Sequence, residues 1–310
     1  MEPARKRRRV EHEDKIRQAL RNKKLVIIVG AGTTLSATHP SPSRITWTGL
    51  IRDGLDYLLE EGLVPEDDED LNYYRRVLQR PEAKIQSILL ACGYLKAELD
   101  RNKLFPTWLE LVFGSLHRDV THPEVFEALR QFHQKGARLM TTNYDELLEH
   151  HCNLQRIRRS IPDDVRKYEQ GTLDGVFHIH GSFQDPQEVV LDAIGYYQVK
   201  NSDDVQNLLK TYLGHNIILF IGCGSGLEDP NFKALLEWAS SREENIPNHH
   251  YLLARDGDNL RYSPLITLRY GPNYEDLVPY LNGILDDPAG TFAAVTSDRR
   301  KISAEGVPGV

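Results

Sequence analysis

Five consecutive apolar residues, Leu25–Val29 ("LVIIV"), run straight into Gly30-Ala31-Gly32. A strand apolar at every position has no face left for water, so it must lie inside a sheet covered on both sides. "NIILFIGCG", ending at Gly224, repeats the pattern: a doubly buried strand broken by glycines. Two such strands make a parallel sheet with helical crossovers the economical solution.

The rest of the chain fits that scheme. Arg17–Lys24 reads as the end of a short polar helix. "GLIRDGLDYLLEEG" and "EAKIQSILLACGYLKAELD" carry apolar residues at helical spacing, with the acidic run "EDDED" as a solvated loop and helix start between them. "THPEVFEALRQFHQKG" predicts a helix with Thr121 as N-cap, Glu124 closing a capping box and Gly136 as the stop. "ARLMTT", "GVFHIHGS", "HHYLLA" and "LITLRY" read as strands. "YDELLEHH", "VQNLLKTYLG", "DPNFKALLEWAS" and "YEDLVPYLNGIL" read as helices. The expected fold is α/β: a Rossmann-like parallel sheet with helices on both faces and a helical insert at about 50–136. The expected organisation is a basic tail and short helix over 1–22, one catalytic domain over 23–287, and a flexible tail or linker over 288–310.

Charge narrows the partners. The first ten residues hold five basic groups, Arg5 to Arg9, against Glu2; with a net charge of −7 for the chain, the remaining body carries −11. An acidic body argues against nucleic acid as the ligand. The basic tract Arg5–Arg9 reads equally as a nuclear-localisation signal or as a solvated tail. No apolar run reaches the roughly 18 residues of a membrane helix, and no apolar stretch follows the basic start as in a secretory signal. Cys92, Cys152 and Cys223 are widely spaced, with no C-x-x-C pair, so paired-cysteine zinc is excluded and free thiols in a reducing compartment are expected, cytoplasmic or nuclear.

Four short stretches carry candidate chemistry. Gly30, Ala31 and Gly32, with Thr33 and Thr34 after them, follow a buried strand and open a helix. The first glycine permits the turn; the second lets a phosphate approach the amides at the helix N-terminus. A side chain at Gly32 is then expected to occupy the phosphate's place at little cost to folding. No third glycine completes the dehydrogenase fingerprint, since Leu35 stands there. "TTNYD" places Asn143 and Asp145 at a strand end, where they can hold a ribose or a water, or simply start the next helix. "HIHGS" places His178 and His180 on one side of a strand. His180 at its end can serve as a general base, and His178 reads as a packed structural histidine. "IGCGSG" adds Gly222 and Ser225 at a second strand end, able to flank one dinucleotide.

The order G-A-G-T-T, T-T-N-Y-D, H-I-H-G, I-G-C-G-S resembles the sirtuin family over about Lys24–Leu285. The resemblance implies that Gly30, Ala31 and Gly32 form the phosphate turn. It implies that Asn143 and Asp145 stand for the asparagine and aspartate of the T-Q-N-I-D motif, that His180 is the catalytic histidine, and that Gly222 and Ser225 hold NAD. The departures matter as much. Thr142 replaces the motif's glutamine, "SRITWTGL" replaces G-I-P-D-F-R, and the four-cysteine zinc module cannot exist here. That pattern is similar to the zinc-free sirtuin-like domains of bacterial antiphage (Thoeris-type) systems and fungal immune-receptor-like proteins, which hydrolyse NAD. The resemblance implies an NAD glycohydrolase with NAD as substrate, no metal, a homo-oligomeric assembly and a place in a longer parent protein. Two rivals remain: an NAD-dependent deacylase or ADP-ribosyltransferase, and a non-enzymatic NAD or ADP-ribose sensor.

Overall fold

The computed structural model describes residues 2–38 (side chains from Arg7 onward), 42–80, 84–224, 227, 233, 236, 249–260 and 262–286. In chain order the elements are α1 (Glu2–Arg21), β1 (Leu25–Val29), α2 (Ala31–Ala37), α3 (Trp47–Glu60), α4 (Glu69–Leu78), α5 (Ile85–Arg101), α6 (Phe105–Phe113) and α7 (Glu124–Gln134). They continue with β2 (Arg138–Thr141), α8 (Leu147–Cys152), β3 (Arg156–Ile157), α9 (Pro162–Gln170), β4 (Val176–His178), α10 (Ala193–Lys200) and α11 (Asp203–His215). The last are β5 (Ile217–Ile221), β6 (Tyr251–Ala254), β7 (Ile266–Arg269) and α12 (Leu277–Leu285).

The seven strands form one sheet in the order β3-β4-β2-β1-β5-β6-β7, and every pairing is parallel. The α/β, Rossmann-like expectation holds. β1 lies at the centre, hydrogen-bonded to β2 and β5, and all five of its residues are buried. Strand alternation divides them: Leu25, Ile27 and Val29 join the core under α1, α3, α5, α6, α7, α8 and α12. Val26 and Ile28 join the core under α9, α10 and α11. From β1 the chain first builds toward β2 and then returns to the other side with β5. The sheet order therefore reverses at the β1/β5 boundary, where open α/β sheets leave a crevice beyond the carboxyl ends of the strands.

Between β1 and β2 the described chain is helical, α2 to α7 with two short 3-10 turns. Trp108 anchors this region: it is 1% exposed, donates from Nε1 to Asp53 at 3.2 Å, and tilts against Phe105. α4 starts as the acidic run suggests, with the Asp68 carboxylate capping Leu71 N–H at 2.7 Å.

Several elements differ from expectation. α7 begins at Glu124 with Pro123, not Thr121, at its N-cap. The N–H groups of Thr121 and His122 both donate to Ala37 O at 2.9 and 3.0 Å, and Val120 bridges Thr38, so the segment is held extended before the helix starts. The first helix runs over Glu2–Arg21, and the backbone of the basic tract is part of it. Arg17 donates to Gly283 O at 2.9 Å and the Arg9 guanidinium lies 4.9 Å over the Tyr280 ring, which docks α1 on α12. The strand expected over "GVFHIHGS" ends at His178, leaving His180 in the turn that follows. The helix expected at "DPNFKALLEWAS" and the tail from 288 onward lie outside the described residues. Among the described residues no helix is long and apolar enough to cross a membrane.

Candidate active site

The carboxyl ends of β1 and β5 are locked backbone to backbone. Gly30 N–H donates to Ile221 O and Gly32 N–H to Gly222 O, both at 2.9 Å. A Cβ on Gly30 would lie 2.6 Å from Gly222 O, and one on Gly32 would lie 2.8 Å from the same oxygen. Gly222 adopts φ +68, and a Cβ there would lie 2.5 Å from Thr33 N. These three glycines are thus required by one another. The Gly32 amide, expected to face a ligand's phosphate, is already engaged by β5. The expectation that a side chain at Gly32 leaves folding nearly intact is corrected on this ground.

Behind the turn runs a buried polar chain. Thr34 Oγ1 donates to Asp145 Oδ2 at 2.9 Å, and Asn143 Nδ2 donates to Thr34 Oγ1 at 3.1 Å. Leu147 N–H donates to the other Asp145 oxygen at 3.2 Å, so this carboxylate also serves the start of α8. Asn143 N–H donates to Thr141 Oγ1, which donates to Val29 O, both at 3.0 Å. The bond from Nδ2 to Thr34 fixes the plane and orientation of the Asn143 amide, with Oδ1 on its other edge. Thr33 and Thr34 are both fully buried and do not line the cavity; Thr34 acts through Asn143 and Asp145.

The cavity in front has a volume of about 310 Å³, within the range of small-molecule sites. Gly30, Ala31, Gly32, Asn143, Asp145, His180 and Gly222 all line it, so stretches separated by 111, 35 and 42 residues in sequence converge on one space. Ser225 lies outside the described residues. His180 is 4% exposed, and its carbonyl accepts from Val190 N–H at 2.9 Å. Its ring meets Tyr196 edge-on at 5.5 Å, and Tyr196 meets Trp47 in the same way at 6.2 Å. Also on the cavity wall, the Arg255 guanidinium lies 4.5 Å over the Tyr274 ring and donates to Asp258 at 3.1 Å. Trp47, Tyr196, Arg255, Asp258 and Tyr274 were not picked out from sequence. They come from α3, α10 and the loops after β6 and β7, and no motif spacing links them.

His178 does not reach the cavity. It is 1% exposed, and its Nε2 lies 2.6 Å from Glu149 Oε1 and its Nδ1 3.2 Å from Gly181 O. Burial opposes its charge, but Glu149 and the Gly181 carbonyl outweigh that and its pKa is raised. Burial pushes the Cys223 thiol, beside the cavity, up to about 12, so it is no nucleophile there. Among the described residues no group of three or more His, Cys, Asp or Glu side chains could hold a metal ion.

Residues 137–269 match the model of the SIR2-like domain family. That stretch, β2 to β7, is similar to SIR2-like domains. The matched span contains Asn143, Asp145, His180 and Gly222. The Gly30–Gly32 turn precedes it and joins it through the β1/β5 lock. The chain is also similar to "Defense-associated sirtuin 2" of Bacillus subtilis, 24% identical over 271 residues. That alignment takes in 83% of this chain but 23% of the relative, so the chain spans less than a quarter of that protein's length.

Two outcomes test the site as built. Gly32→Val should lose about 1–3 kcal/mol of stability by overpacking against Gly222, seen as a lower melting temperature. An unchanged melt with only ligand binding lost would restore a purely phosphate-facing role for Gly32. The second outcome concerns Asp145, whose carboxyl burial pushes up from 3.8 to about 6, against the pull of Thr34 and Leu147. The folded state then holds this proton more tightly than the unfolded chain, so the group favours folding most below pH 4 and loses that effect as pH rises through about 6. Relative to Asp145→Asn, the wild type should lose on the order of 3 kcal/mol of stability between pH 4 and pH 7 in denaturant titrations. A difference that stays flat with pH would contradict this.

Proposed function

We propose that the domain is an NAD glycohydrolase. NAD lies across the carboxyl ends of β1 and β5, and water replaces nicotinamide at the ribose carbon to give ADP-ribose. The observation that carries this reading is that Asn143 and His180, on separate strand ends, meet in one cavity of a sirtuin-like domain. Breaking the glycosidic bond passes through an oxocarbenium-like transition state. Nicotinamide leaves as a neutral ring from a cationic one, so no general acid is needed. The protein must instead place a water and accept its proton. Asn143 Oδ1, fixed by the bond from Nδ2 to Thr34, orients the water and the ribose. His180 accepts the proton as general base. Asp145 supports both through Thr34 and the start of α8. Trp47 and Tyr196, grouped with His180, suit the nicotinamide ring, and Arg255 with Tyr274 suits the adenosine end.

The name of the Bacillus relative supports a role in defence, with loss of cellular NAD as the effector step. That relative's greater length supports a parent protein with further domains. Self-assembly belongs to the same proposal: Leu90 of α5 and Ile194 of α10 flank a second groove and are 61% and 67% exposed.

His180→Ala and Asn143→Ala should each slow nicotinamide release by at least about 100-fold, a loss of roughly 2.7 kcal/mol in transition-state stabilisation. Turnover per folded molecule and melting temperature are read on the same proteins. Wild-type turnover in His180→Ala would overturn the mechanism.

A further inference from the structure

His178 and Glu149 form a buried pair that the chemistry above does not use. Both His178 ring nitrogens face acceptors: Glu149 Oε1 at 2.6 Å and the Gly181 carbonyl at 3.2 Å. A neutral imidazole has a single N–H and cannot donate to both. With Glu149 ionised only the imidazolium satisfies both contacts, and the carboxylate balances its charge in a site where His178 is 1% and Glu149 8% exposed.

What the ring holds is the turn that carries His180. Three anchors define that turn. Ile179 N–H donates to Thr141 O at 2.9 Å, Val190 N–H donates to His180 O at 2.9 Å, and His178 donates to Gly181 O. Gly181 sits at φ +78, and a Cβ there would lie 2.3 Å from Glu188 O, so the turn is also wedged from outside. The first two anchors are backbone to backbone. The third depends on a proton at Nδ1 of one side chain. Without it the Gly181 peptide can rotate, and the His180 ring loses its aim beside Tyr196.

We propose that Glu149 and His178 are positioning residues: Glu149 keeps His178 doubly protonated, and His178 clamps the Gly181 carbonyl so that His180 points into the cavity. This rests on the NAD glycohydrolase reading for the consequence in rate, but the protonation and the ring placement are separate observables. A neighbour acting only as packing would change stability and leave turnover per folded molecule alone.

The test uses the whole chain with 15N-labelled histidine. At pH 7.5, NMR should show the His178 ring protonated at both nitrogens. Glu149→Gln, which keeps the shape and removes the charge, should convert it to the neutral tautomer protonated at Nε2, leaving Nδ1 with no proton to give Gly181 O, and shift the His180 ring signals; an Nδ1-protonated ring that keeps that bond would overturn the proposal. In the same folded variant kcat for nicotinamide release should fall about 10- to 100-fold with KM little changed, the size expected when a reacting group is displaced rather than removed. A neutral His178 in the wild type overturns the proposal. So does a folded Glu149→Gln with wild-type kcat, or with unmoved His180 signals. If the wild type releases no nicotinamide at all, the functional reading fails, and the two NMR arms still decide whether this pair positions His180.

Discussion

The approach of the β1–α2 turn onto the end of β5 is the constraint on which the rest depends. Two amides of one turn donate into the end of the neighbouring strand, and glycine on both sides lets the backbones come within contact distance. The sheet order reverses at this boundary, so the lock also shapes the floor of the crevice. One set of glycines therefore fixes strand registry and leaves the space above the strand ends open. A side chain at Gly30, Gly32 or Gly222 would meet backbone, which cannot give way as the tip of a flexible side chain can.

Around that floor the protein buries polar groups that a core normally excludes. Thr34, Asn143, Asp145, Glu149, His178 and His180 are all less than 9% exposed. Unpaired, each would be costly; chained, they become rigid. The Asp145–Thr34–Asn143 chain fixes the amide orientation of Asn143 through a hydroxyl that must donate one way and accept the other. A similar logic appears one layer deeper, where Glu149 and Gly181 claim both nitrogens of His178. The cavity wall thus has its polar atoms set before any ligand arrives, which lets such atoms stabilise a transition state without reorganising.

Much of this was legible in the chain. β1 and β5 announce themselves because every residue is apolar, and β1 sits at the sheet's centre as its doubly buried character requires. The glycines after each strand mark the cavity, and the residue types of Asn143, Asp145 and His180 at strand ends point to the same space. What sequence hid has physical reasons. β3 has two residues, too few for any periodicity. Thr121 looks like a cap, but its N–H is taken by Ala37 from a distant element. The Gly32 amide looks free for a ligand in sequence because nothing local reveals that Gly222, 190 residues on, lies against it. Trp47, Tyr196 and Arg255 meet the site only through tertiary packing of α3, α10 and the loop after β6.

The central claim is that water, and no other acceptor, takes the ribose from NAD in this cavity. Incubating the purified chain with NAD alone and resolving the products tests it most directly. The account predicts nicotinamide and ADP-ribose in equal amounts, with no peptide or protein acceptor added. Release of nicotinamide only when an acyl-lysine peptide or a protein acceptor is supplied, or bound NAD that stays intact, would contradict it.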